Sequence, residues 1–171
     1  MARDRRLGMA ILGLLACNTV YYLVAGRLSE ALESLAWYAL LILFTLESAR
    51  GDYRRSAGTL ALMRGLRGLA TLAITVTAVL YVLEKEWLDA GNLLLWIAVV
   101  ALLEIELQRP ATAAVHHKAF ARLAALLYGA LGALVLVWFS RGEWMDAWDA
   151  ALWLAAFGLL ELNLLGQNSK S

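Results

Sequence analysis

Six apolar runs, each close to the length a helix needs to cross a bilayer, constrain this chain more than any motif in it. A spanning helix takes ~20 mostly apolar residues to cover ~30 Å of hydrocarbon. The runs are Leu7–Ala25, Leu32–Ser48, Leu66–Leu83, Ala90–Leu107, Leu123–Phe139 and Ala147–Leu165. They are rich in Leu and Ala and lack the two-residue alternation of a membrane strand, so helices are expected rather than a barrel. The single proline, Pro110, falls just past the fourth run, where a helix should stop. Composition agrees, because 62% of the residues are apolar and 17% charged, against about 45–50% and about 25% in soluble domains. The expectation is an all-α polytopic protein with six transmembrane helices in one membrane domain spanning the 171 residues.

The opening Met1-Ala2-Arg3-Asp4-Arg5-Arg6 followed by an apolar run has the form of a signal peptide, and Leu14-Leu15-Ala16-Cys17 has that of a lipoprotein cleavage box. Leu15 is bulky where such a box wants a small residue, and the apolar run continues to Ala25. The segment therefore reads as a first span.

Basic residues orient the spans. Arg3, Arg5, Arg6, Arg50, Arg54, Arg55, Arg64, Arg67, Arg109, Lys118, Arg122 and Lys170 make 12 of the 15 Lys and Arg, and all fall on one side of the six-span layout. By the positive-inside rule both termini are cytoplasmic, in a plasma or inner membrane. Arg50-Gly51-Asp52 then lies inside and is no adhesion signal. The opposite loops hold Arg27, Lys85 and Arg141 beside Glu30, Glu33, Glu84, Glu86, Asp89, Glu143, Asp146 and Asp149.

A threefold pattern runs through the chain. Trp37, Trp96 and Trp153 are 59 and 57 residues apart. Each is preceded at fixed offsets by an acid (Glu30, Asp89, Asp146), by a second polar residue (Glu33, Asn92, Asp149) and, further back, by an aromatic residue (Tyr22, Tyr81, Trp138). Each is followed by Thr45, Glu104 or Glu161 and then by Glu47, Glu106 or Asn163. Membrane composition reproduces Leu and Ala, not acids at fixed offsets. Three helical hairpins related by a pseudo-threefold axis along the membrane normal are expected, over approximately 1–50, 51–110 and 111–171; parallel repeats of this kind occur in some transporters.

The carboxylates carry the functional expectation. Glu33 to Glu47 spans 14 residues, Asp89 to Glu104 15, and Asp149 to Glu161 12. At ~1.5 Å per residue these separations are roughly 21, 22 and 18 Å, shorter than the ~30 Å core. One acidic layer should lie below the headgroups, where carboxylates mark ion or proton paths. Glu104, Glu161, Glu47 and Glu106 are the candidate ion ligands; Glu30, Glu33, Asp89, Asp146 and Asp149 are candidates for an outer vestibule that concentrates cations. Against this, Glu47 with Arg50 and Glu106 with Arg109 have ion-pair spacing, and short outer loops collect acids by avoiding Lys and Arg. The helical angle also forbids Glu104 and Glu106 from facing one central pore together.

The remaining features are bland or exclude functions. A net charge of +1 gives no field for nucleic acid. Cys17 is the single cysteine, so no disulfide framework exists. Adjacent His116 and His117 diverge by about 100° on a helix, as a solvated pair would. Asn18 and Thr19 have no evident repeat counterparts and read as local packing groups or a unique site. Trp87, Trp144 and Trp138 are placed at the outer interface and Trp37, Trp96 and Trp153 in packing, with Trp148 open. No phosphate loop, nucleophile set or His-x-x-Glu spacing is present, so no cofactor is assigned and a metal is left open. Two readings follow: a cation or proton transporter or conduit using buried carboxylates, or a non-catalytic accessory subunit of a larger membrane complex. An enzyme acting on lipids is the weaker third. The expected partners are the bilayer, cations and other membrane subunits.

Overall fold

The computed structural model describes residues 2–49, 57–108 and 115–168, with side chains over a smaller set. Every regular element among them is a helix: α1 (Ala2–Ala25), α2 (Leu28–Ala49), α3 (Ala57–Glu84), α4 (Trp87–Gln108), α5 (His117–Arg141) and α6 (Trp144–Asn168). The six apolar runs thus each become one helix. Two helices begin well before their apolar runs: α3 at Ala57 rather than Leu66, and α5 at His117 rather than Leu123. The added residues include Ala, Leu, Met and Arg, good helix formers that propagate the helix after the hydrophobicity has stopped.

Among the described residues three stretches are long and apolar enough to cross a membrane: Leu7–Ala25, Ala61–Glu84 and His117–Arg141. All lie on the odd-numbered helices. The apolar part of α4, Trp87–Leu103, is shorter, and the even-numbered helices carry acids in their first turns. The three long helices are those of a membrane protein. Their outward side chains suit lipid: Val20, Leu23 and Val24 on α1, Leu69, Leu72 and Val79 on α3, and Leu126 and Leu136 on α5 are all exposed.

The chain forms two compact units, residues 13–86 and residues 1–12 with 87–171. In the first, α2 packs against α3. Met63, Ala70, Ile74, Thr77 and Tyr81 make the buried stripe of α3, recurring at helical intervals on one face; α2 buries Ala36, Trp37, Leu41 and Leu43 and α1 buries Leu15 and Tyr22. In the second unit α5 packs against α4 and α6. Trp138 is buried there against Ala147 and Ala150, with Leu88, Leu134 and Val135 around them. Small residues thus face the largest one, as close packing requires. Trp96 and Phe157 pack ring to ring at 4.8 Å, and Trp153 reaches the same Phe157 at 6.3 Å.

Trp138, which the sequence places near the outer interface, is buried against its neighbouring helices: only 3% of it is exposed. It occupies the position of Tyr22 and Tyr81, both buried, so its direction is set by the packed face of α5 and not by its nearness to the outer end. Trp87, Trp144 and Trp148 are exposed, as belt residues are. The helix boundaries keep the intervals of the tryptophans. The odd helices end at Ala25, Glu84 and Arg141, and the even ones start at Leu28, Trp87 and Trp144. Leu15, Ile74 and Leu131 are buried in turn, as are Trp37, Trp96 and Trp153.

Candidate functional site

Of the eight acids expected in the outer loops, Glu86 and Glu143 stand in the turns and the other six lie inside helices. Only residues 26–27, 85–86 and 142–143 separate the helices of each hairpin, and Glu30, Asp89 and Asp146 stand in the first turns of α2, α4 and α6. Carboxylates there meet the positive end of the helix dipole. Glu30 also closes a cap: the Arg27 backbone N–H donates to Glu30 Oε2 at 2.8 Å, while Ala31 N–H donates to the Arg27 carbonyl at 3.0 Å. This is the reciprocal half of a capping box. The repeating first acid therefore has a local cause, since each even helix must start there.

The ends of the odd helices are equally specific. Lys85 and Gly142 adopt the left-handed conformation, with φ 63° and 79°. In α3 the Lys85 and Glu86 N–H groups donate to the Val82 and Tyr81 carbonyls, and in α5 the Gly142 and Glu143 N–H groups donate to those of Phe139 and Trp138. This pattern satisfies the last orphan carbonyls of a helix. At the first turn a Cβ on Gly26 would stand 2.7 Å from the Tyr22 carbonyl oxygen and 2.9 Å from Glu30 Oε2, so only glycine fits.

Arg27 gathers the acids of the first unit. Its Nε donates to Glu30 Oε1 at 2.7 Å, its guanidinium pairs with Glu86, and Glu84 lies 4.0 Å away. The side chain is 40% exposed, so each pair contributes little alone; together they tie the α1–α2 turn to the C-terminal end of α3. Deeper in, Ser29 Oγ donates to Glu84 Oε2 at 2.6 Å. The Tyr81 hydroxyl donates to Glu33 Oε2, and Tyr81 itself is buried. Glu33 is thus a half-buried carboxylate held between α2 and α3.

Among the described residues the polar residues buried as whole side chains, Asn18, Thr19, Ser29, Ser34 and Thr77, lie in the first unit, while the second buries the single polar atoms Asn92 Oδ1 and the Tyr128 hydroxyl oxygen. Thr19 donates to the Leu15 carbonyl at 2.9 Å and accepts from Ser34 Oγ at 3.0 Å. Thr77 differs. It is fully buried, and its Oγ1 has no hydrogen-bond partner among the described residues, a condition that costs about 1–3 kcal/mol. In the repeat register Asn18 aligns with Thr77, so the expectation that Asn18 lacks a counterpart is corrected.

Of the outer acids, Glu30 and Glu33 share the first unit with Arg27 and Tyr81, whereas Asp89, Asp146 and Asp149 belong to the second and are half-buried. The inner candidates Glu47, Glu104, Glu106 and Glu161 lie on α2, α4 and α6, and their side chains fall outside the described residues. His116 and His117 are exposed, and Cys17 is exposed and free. Among the described residues no three His, Cys, Asp or Glu side chains gather as a metal site would need. Arg27, Tyr81 and Thr77 are contributors that sequence reasoning missed. Tyr81 carried a signal, its place in the aromatic column of the repeat; a lone Thr in an apolar run carries none.

No family model, curated protein or solved structure matches this chain.

Proposed function

We propose that this is a six-span protein of a plasma or inner membrane, with both termini cytoplasmic and three pseudo-threefold-related hairpins, that handles protons or other cations through carboxylates within its helical region. The observation that carries the reading is Glu33, a carboxylate drawn inside a helix pair and held there by a buried tyrosine. A carboxylate drawn out of water between helices is costly, and within a membrane-spanning protein it is a candidate for an ion path. Glu104, Glu161, Glu47 and Glu106 are the corresponding groups toward the inner side. The test is flux into liposomes reconstituted with the full chain. Glu33→Gln, Glu104→Gln and Glu161→Gln should each lower proton or sodium flux at least tenfold, and rates unchanged in all three would end the proposal.

A second reading, an accessory subunit of a larger membrane complex, is favoured by the Arg27 cluster. There two outer acids are ion-paired within the protein and a third lies at 4.0 Å, as residues that only stabilise packing would be. On this reading the same substitutions lower the melting temperature and leave flux at the level of empty liposomes.

A further inference from the structure

We infer that the outward face of α5, at its N-terminal end, is a binding surface for an anionic phospholipid whose phosphate is held by Lys118 and Arg122. The inference goes beyond cation handling and needs only that α5 (His117–Arg141) crosses the bilayer, which its length and apolarity suit. The first observation is charge without compensation. From Arg109 to Arg141 the sequence holds no Asp or Glu, whereas Asp4 stands among Arg3, Arg5 and Arg6, and Glu47 and Asp52 stand around Arg50, Arg54 and Arg55. Lys118 and Arg122 are exposed, and neither is ion-paired among the described residues. Their i,i+4 spacing puts both on one face of the helix, where like charges repel unless an anion lies between them.

The second observation is depth. Arg122 stands 19 residues before Arg141, and Lys118 stands 23 before it. At ~1.5 Å per residue these separations are roughly 28 and 34 Å. With Arg141 at one edge of a ~30 Å hydrocarbon core, the pair straddles the other edge, at the level of lipid phosphates. Below it Ala125, Gly129 and Ala133 continue the same face and are exposed, with Leu126 and Leu136 exposed beside them. A Cβ on Gly129 would meet nothing within 4 Å, so the surface under the basic pair is open and of low relief. The packed face lies opposite: Leu131, buried like Trp138, follows Arg122 by nine residues, about 180° around the helix at ~100° per residue. A cationic end above a smooth apolar strip matches the two ends of a phospholipid. Small residues also admit a second helix, but a symmetric pair of chains on this face would bring both copies of Lys118 and Arg122 together. Like charges juxtaposed across an interface are costly, whereas a lipid phosphate neutralises them.

The test is association of spin-labelled phosphatidylglycerol and phosphatidylcholine with the full chain in phosphatidylcholine vesicles. Phosphatidylglycerol should be preferred, and the preference should fall as salt is raised. Lys118→Gln and Arg122→Gln should each lower it about fivefold, while Lys118→Arg and Arg122→Lys, which keep the charge, should retain it. Arg141→Gln, at the other end of the same helix, should leave it unchanged. No preference in the natural sequence, a preference that survives Lys118→Gln combined with Arg122→Gln, or an equal loss in Arg141→Gln overturns the site. Displacement of the labelled lipid by inorganic phosphate would assign the pair to a free anion and overturn it too. A dimer in mild detergent that Gly129→Leu dissociates, with no lipid preference, would give the face to a second copy of the chain instead.

Discussion

Gly26 is the residue with the least latitude. A methyl group there meets backbone, the Tyr22 carbonyl at 2.7 Å, which cannot swing aside as a side chain could. Gly26→Ala should destabilise the purified protein by about 1–3 kcal/mol, read as a lowered melting temperature in mild detergent. Lys85 presents the opposite case, a non-glycine residue at φ 63°. Lys85→Gly should raise stability by about 0.5–1 kcal/mol by relieving that strain; a lower melting temperature would show that the lysine side chain contributes more than its backbone costs. Neither constraint was legible in the sequence as such. Gly26, Lys85 and Gly142 share one repeat position, but only the backbone shows that two of them are left-handed while Gly26 is held by close approach.

At the scale of elements, two contacts hold α2 against α3 and can be separated experimentally. Tyr81→Phe removes one hydroxyl and leaves Glu33 without that donor, at a cost of about 1–3 kcal/mol that high salt should not change. Arg27→Gln dissolves a half-exposed ion cluster and should cost no more than about 1 kcal/mol. Its penalty should shrink as ionic strength rises, because exposed pairs are screened. Melting in low and high salt distinguishes the two, and equal salt sensitivity would contradict the assignment of one to the interior and the other to the rim. The elements themselves were readable, since each apolar run became a helix. Their starts were not, because the arginine-bearing turns of α3 and the inner end of α5 are helical without being apolar. The first acid of each repeat was read as loop charge, yet its place is fixed by where the even helices begin. The burial of Trp138 was not legible, because distance along a helix says nothing about which face a side chain occupies.

For the whole molecule the topology is open to direct test. With Cys17 replaced by Ala, a cysteine at Gly142 should react with a membrane-impermeant maleimide on intact cells, and one at Lys118 only after permeabilisation. Labelling of both from outside would mean that α5 does not cross the bilayer. The threefold pattern was legible because polar residues recur at fixed offsets, and the helix boundaries keep those intervals. What the pattern concealed is inequality. Recurrence suggests three like sites, whereas the buried serine and threonine hydroxyls of the described residues sit in residues 13–86, and threonine among leucines draws no notice until its burial is known.

That lopsidedness bears on stoichiometry. Three matching interiors would take up three ions with statistical or cooperative steps, whereas interiors of unlike polarity would differ in affinity and fill in separate steps.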